Sequence, residues 1–205
     1  QQGLIQRVAW VKGGAMLCSC RRFSSQPTCA IMSSPLSDWQ TKPTVRLGIA
    51  TDHGGFDDKA VLLRHLANRH DLEVVDVGPH ALDPLDDYPE YAAELARQIA
   101  DGALDAGILL CRSGIGMSIT ANRFPGVYAA LVTNEKGAKL SRTHNAANVL
   151  VIGSENVENT EITAIVDTWL DTPFSQEQRH VRRVRELDEL ADEWRREKPR
   201  AAPRE

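Results

Sequence analysis

The sequence predicts a three-layer α/β/α fold: a five-stranded parallel sheet with helices on both faces. Three observations predict it. From Val45 to Ile152 short β-rich runs alternate with helical patterns. The run Gly107-Ile108-Leu109-Leu110 is almost continuously apolar, as a central strand covered on both faces requires. Strict strand–helix alternation implies right-handed crossovers and therefore parallel strands.

Each element has its own signal. Val45–Ala50 is the first strand, followed by a helix from Asp57 to about His70 in which Ala60, Leu63, Leu66 and Ala67 share a face. Leu72–Val77 is the second strand, ended by Gly78-Pro79, and His80–Asp87 is a polar loop. A helix over Tyr88–Ala100 is stopped by Gly102, and Asp105–Cys111 is the third strand. Gly126–Val132 and Asn148–Ile152 complete the sheet, with helices at about Met117–Asn122, Glu135–Asn145 and Thr160–Leu170. From Gln176 to Lys198, Val181, Val184, Leu187, Ala191 and Trp194 recur at spacings of three and four in a chain dense in Arg and Glu. That is an amphipathic helix with a narrow apolar seam, expected to cap its own domain or, by preference, to pack on a second subunit. The expectation is one Rossmann-like domain over residues 44–175, the C-terminal helix over 176–198 and a loose tail over 199–205.

Residues 1–43 are expected to lie outside the fold. The first 37 contain no Asp or Glu but include Arg7, Lys12, Arg21 and Arg22. They read either as an organellar transit peptide or as upstream sequence not normally translated, with Met32 as a start. The first reading gives an organellar protein, the second a cytoplasmic one.

Bulk composition narrows the function. A chain of 205 residues buries one good core, and 42% hydrophobic with 25% charged residues is ordinary for a globular protein. A net charge of -4 argues against nucleic-acid binding, and no apolar run is long enough to span a bilayer. Cys18, Cys20 and Cys29 crowd the N-terminus and only Cys111 lies in the patterned region, so neither a disulfide framework nor a zinc site is expected.

Ligands of open parallel sheets bind beyond the carboxyl ends of the strands. Strand one ends in Thr51-Asp52-His53-Gly54-Gly55, and strand three in Cys111-Arg112-Ser113-Gly114-Ile115-Gly116-Met117-Ser118. The second turn fails three known motifs: Ile119 stands where a dinucleotide fingerprint needs Gly, a Walker Gly-Lys-Ser/Thr is absent, and Met117 stands where a phosphatase loop needs Arg. What remains is a thiol beside a turn lined with N–H groups, whose pKa the following helix and Arg112 are expected to depress. The alternative is a buried cysteine ending an apolar strand. His144, closing a helix just before strand five, is placed near the same end of the sheet as a general acid; the alternative is a histidine favoured there by the helix dipole. Arg179 and Arg183, four apart, suit a phosphate or simply form a solvated face.

Together, Asp52-His53-Gly54-Gly55, Asp87-Tyr88-Pro89, the Cys111–Asn122 segment, His144-Asn145-x-x-Asn148 and Arg179-His180-x-x-Arg183 resemble type B ribose-5-phosphate isomerase, a family related to the galactose-6-phosphate isomerase subunits. The resemblance runs from about Val45 to Leu187. It implies interconversion of D-ribose 5-phosphate and D-ribulose 5-phosphate, a step of the pentose phosphate pathway, without metal or cofactor. It implies Cys111 as base, because Met117 holds the position of the family's alternative glutamate base, and His144 as ring-opening acid. Asn145 and the turn formed by Arg112, Ser113, Gly114, Ile115 and Gly116 are implied to stabilise the enediolate. Asp52 and His53 are implied to contact substrate, with His53, Arg179 and Arg183 clamping the phosphate. Dimers, or tetramers built from dimers, with shared sites are implied as well. The chain departs from the family at Arg112, usually Gly, and at Glu155, often Arg. Three rival readings follow: an isomerase of a four- or six-carbon sugar phosphate, a sugar-phosphate-binding protein without turnover, and a cysteine-dependent hydrolase, for which the sequence offers no base oriented by a third group.

Overall fold

The computed structural model describes residues 39–197; most of the leader and the tail beyond 197 lie outside the described residues. Five strands form one parallel sheet: β1 (Val45–Thr51), β2 (Leu72–Gly78), β3 (Ala106–Cys111), β4 (Ala129–Val132) and β5 (Val149–Gly153), in the order β2-β1-β3-β5-β4. Six helices follow the same chain order: α1 (Phe56–Leu66), α2 (Tyr88–Ala100), α3 (Ile115–Ala121), α4 (Glu135–Asn145), α5 (Asn159–Asp171) and α6 (Gln178–Glu197). Among the described residues no helix is long and apolar enough to cross a membrane.

The strands alternate their side chains between two cores, as pleated backbone must. Ile108 and Leu110 of β3 join the layer of Leu62, Leu66, Ile165 and Trp169 from α1 and α5. Leu109 and Cys111 face the other way, into the layer of Leu95, Ile99 and Met117 from α2 and α3. With β1 and β5 on its flanks, every residue of β3 is buried. Complete burial of each such leucine or isoleucine contributes roughly 1.5–3 kcal/mol.

The first helix differs from the sequence reading. It ends at Leu66, and its buried face is Asp58, Lys59, Leu62 and Leu66 rather than the stripe through Ala60 and Ala67. Lys59 is buried because its ammonium donates to Asp76 (2.7 Å) and to the Pro79 carbonyl (2.6 Å), so its polar end is satisfied beneath the surface.

The ordered domain also starts earlier than expected. Residues 39–41 form a 3-10 turn with Trp39 buried. Its ring lies 5.3 Å from that of Trp169, and the Arg142 guanidinium sits over both, 4.6 Å and 5.8 Å from the ring centres. Arg142, itself buried, donates to the carbonyls of Thr172 (3.2 Å) and Ala147 (2.8 Å) and to Gln40 Oε1 (2.8 Å). Cation–π and hydrogen-bond energy thus pin the start of the domain.

Only part of the seam of α6 is covered within the chain. Val184 is buried against Phe174 and Ala146, with Val181 and Tyr128 beside them. Leu187 and Leu190 remain exposed. A phenol–carboxylate hydrogen bond from Tyr128 to Asp188 ties the helix to the start of β4.

Candidate active site

The sheet order reverses beside β1: the chain adds β2 on one side of it and β3 on the other. The crevice at such a reversal, beyond the carboxyl ends of the strands, is where parallel sheets place their ligands. Asp52 and Cys111 meet there. The thiol donates to Asp52 Oδ2 at 3.0 Å, while Asp52 Oδ1 accepts the Gly54 N–H at 2.9 Å. Both residues are buried.

Glycine makes this meeting possible. A Cβ on Gly54 would lie 2.7 Å from the main-chain nitrogen of Arg112, so only a bare α-carbon lets the two turns touch. Gly114 has φ of +73°, the left-handed region, which swings the chain from β3 into α3. In that conformation the N–H groups of Gly114 and Ser113 are directed at the Cys111 sulfur.

The thiol's acidity runs against the sequence expectation. Its pKa is pushed up to about 11, first by burial and then by the neighbouring Asp52 carboxylate; the amides of Gly114 and Ser113 oppose this without prevailing. Arg112 does not supply the expected depression. Its side chain is exposed and forms an ion pair with Glu155 at 3.4 Å. The same pairing meets the carboxylate that the sequence puts near an anionic substrate.

The turn is fixed on its far side too. Cys111 O accepts the Ser154 N–H (2.8 Å), Arg112 O accepts that of Glu155 (3.0 Å), and Ser113 O accepts Asn156 Nδ2 (3.4 Å). Ser113 Oγ accepts the Ile115 N–H, Ile115 is exposed, and a Cβ on Gly116 would lie 2.5 Å from the Tyr88 ring. His53 follows Asp52, with its Nδ1 2.6 Å from Asp86 Oδ1.

The remaining candidates lie elsewhere. The sequence places His144 near the Cys111 end, but α4 runs back along the sheet and delivers His144 and Asn145 to the start of β5. Val149 aligns with Gly107 and Gly153 with Cys111, so four residues, ~13 Å at ~3.3 Å each, separate the two levels. His144 is exposed and lies 4.3 Å from the buried ring of His180, whose Nδ1 is 2.7 Å from Ser175 Oγ. Arg179 and Arg183 are exposed on α6, and Arg179 pairs with Glu177 at 2.9 Å. Asn145 lines a hollow of about 220 Å³ with Tyr128 and Leu187. One chain therefore carries two groups of candidates, at opposite ends of its sheet. Among the described residues, no three His, Cys, Asp or Glu are grouped to hold a metal ion.

Three residues that the structure engages give little local signal: Asp86 lies in a polar loop, Arg142 is one of many arginines, and His180 is one letter of a motif. A carboxylate one residue before Asp87-Tyr88-Pro89 was the available signal for Asp86.

A thiol, a carboxylate and an amide-lined turn brought together at the switch point suit proton transfer on a small ligand, and the chain's relatives define the class as aldose–ketose isomerases. Residues 47–187 match the model of the Ribose/Galactose Isomerase family. The chain is 43% identical over 136 residues to the probable ribose-5-phosphate isomerase B of Mycoplasma pneumoniae, covering 66% of this chain and 88% of that one. It is 40% identical over 139 residues to ribose-5-phosphate isomerase B of Escherichia coli, covering 68% and 91%. A crystal structure of ribose-5-phosphate isomerase B from Mycoplasma genitalium with bound ribulose-5-phosphate superposes with a TM-score of 0.69 at 39% identity, covering 72% of this chain and 97% of that one. The chain belongs to the ribose/galactose isomerase family, in its type B ribose-5-phosphate isomerase branch.

Proposed function

We propose that this protein interconverts D-ribose 5-phosphate and D-ribulose 5-phosphate, with Cys111 moving the proton in a site completed by a second copy of the chain. The observation that carries the reading is the Cys111 sulfur held between the Asp52 carboxylate and the amides of Ser113 and Gly114. The relatives' names and the ribulose-5-phosphate held by one of them support the substrate.

A hydrogen on carbon beside a carbonyl leaves only if the oxygen's developing charge is met by donors. Backbone N–H groups fixed by folding do this without reorganisation, and losing one such donor slows turnover by ~100-fold or more. In the aldose-to-ketose direction the base removes the C2 proton, O1 is protonated, and an enediol results. Loss of the O2 proton and return of a proton to C1 give the ketose. The thiol donates to Asp52 Oδ2, so that carboxylate is the group placed to take its proton and leave the thiolate that removes the C2 hydrogen.

His144, Asn145, Arg179 and Arg183 enter from the other copy. Their position at the foot of the sheet, with the uncovered Leu187 and Leu190, favours two chains packed head to foot, each giving its Cys111 end to one site and its His144 end to the other. His144 would open the furanose ring, and the two arginines with His53 would hold the phosphate. The rim pair Arg112–Glu155 favours a second reading, preference for a sugar phosphate of another length.

The test is turnover of a panel of four-, five- and six-carbon aldose phosphates by purified protein, with and without a chelator. Ribose 5-phosphate should give the highest kcat/KM, unaffected by chelation. Absence of turnover with every sugar would overturn the isomerase reading.

A further inference from the structure

Asp86 is outside every role assigned so far, yet it is a buried carboxylate beside the site. Its side chain is 5% exposed, and one oxygen, Oδ1, receives both the His53 main-chain N–H (3.1 Å) and His53 Nδ1 (2.6 Å). The other oxygen is buried without a hydrogen-bond partner. Among the described residues its ion-pair partner is His53. Its charge is felt nearby: the Tyr91 phenol is pushed above its ordinary range by burial and then by Asp86. A buried carboxylate is strongly unfavourable unless its neighbours donate to it, and the His53 ring, 2.6 Å away, is the donor in closest reach.

We propose that Asp86 is a positioning residue that fixes the proton of His53 on Nδ1 and turns its Nε2 edge toward the phosphoryl group of the substrate. The loop between β2 and α2 carries Asp86 across to the turn after β1, so the contact joins two connections with no other reason to meet. With Nδ1–H committed to Asp86, Nε2 is the nitrogen left for a ligand. An Nε2–H facing a phosphoryl oxygen and an Nδ1–H held by Asp86 are the two donors of one imidazolium. A carboxylate behind a histidine sets ring orientation and tautomer together. The inference rests on the proposed role of His53 in the phosphate clamp.

Two readouts test it in the full-length protein: KM and kcat for ribose 5-phosphate, and the dissociation constant of inorganic phosphate, which needs no turnover. Asp86→Asn should weaken phosphate binding and raise KM about tenfold with kcat within about twofold, the pattern of lost ground-state binding. His53→Gln should do the same, and adding Asp86→Asn to it should change neither constant further. A low-field Nδ1–H proton resonance should be present in the wild-type protein and absent from both variants, which reads the contact even where a variant binds poorly. Equal weakening by Asp86→Asn with and without His53 would overturn the inference, as would an unchanged KM in Asp86→Asn beside a raised one in His53→Gln. If His53→Gln leaves phosphate binding unchanged, the clamp reading falls and this inference with it. Lack of turnover with normal phosphate binding would sink only the isomerase reading.

Discussion

Cys111 Sγ and Asp52 Oδ2 lie 3.0 Å apart at the ends of adjacent strands, and the thiol donates a hydrogen bond to the carboxylate. Replacing Cys111 with Ala should abolish isomerisation and leave inorganic phosphate binding within about twofold, because the proposed phosphate contacts are His53, Arg179 and Arg183. Steady-state kinetics and phosphate titration decide this, and full activity would remove the sulfur from the mechanism.

The raised acidity constant of Cys111 gives a pH dependence with a definite sign. A thiol whose pKa is about 11 when folded, against an ordinary 9.0, binds its proton more tightly in the native state. Its contribution to stability is complete below about pH 9 and is lost as pH rises toward 11, roughly 2–3 kcal/mol in all. Alkylation by iodoacetamide should accelerate with a midpoint near the folded value, and Asp52→Asn should move that midpoint down by removing the second cause. A midpoint below 8.5 in the wild-type protein contradicts the geometry.

Asp105 supplies the opposite case. Burial alone raises its pKa, but hydrogen bonds from Arg46 and Lys42 outweigh that and hold it at about 2. The lowered value means stability present above about pH 4 and lost as pH falls toward 2. With Arg46 and Lys42 well exposed, solvent screening leaves about 1–2 kcal/mol. Asp105→Asn should lower the denaturation midpoint at pH 7 and flatten the acid limb of the stability profile.

Arg142→Met should destabilise the domain by about 3 kcal/mol, since it leaves buried carbonyls of Thr172 and Ala147 without their donor. For a chain of this size that is a fall of roughly 6–12 °C in melting temperature. A shift below 2 °C would show that the two tryptophan rings hold together without the cation.

Mixing tests the shared site. Cys111→Ala and His144→Ala chains should each be inactive, yet refolded together in equal amounts they should recover about a quarter of wild-type activity. Half the pairs are then mixed, and each mixed pair has one intact centre. No recovery would mean that both residues serve the same centre from one chain.

The sheet was readable because its signal is local: Ile108 to Leu110 declare a buried strand whatever surrounds them. The ends of the strands were readable as chemistry for the same reason, since Asp52, His53 and Cys111 stand at breaks in the hydrophobic pattern. What the sequence hid is long-range. Nothing local tells that the Cys111 thiol is buried and that Asp52, 59 residues away, comes to rest against it; burial first and then that carboxylate reverse the expected shift. His144 misled because proximity to β5 in sequence says nothing about which end of β5; the direction of α4 decides it. Arg142 looks like any surface arginine until two tryptophans, over a hundred residues apart, close on it.

The turn after Cys111 is gripped by Gly54 on one side and by Ser154, Glu155 and Asn156 on the other. Such a turn is a mould rather than a jaw: held on both sides, it is expected to keep its N–H groups in place when a ligand enters. Crystals soaked with ribose 5-phosphate should then survive intact, showing the same backbone from residue 111 to 116 in empty and filled sites.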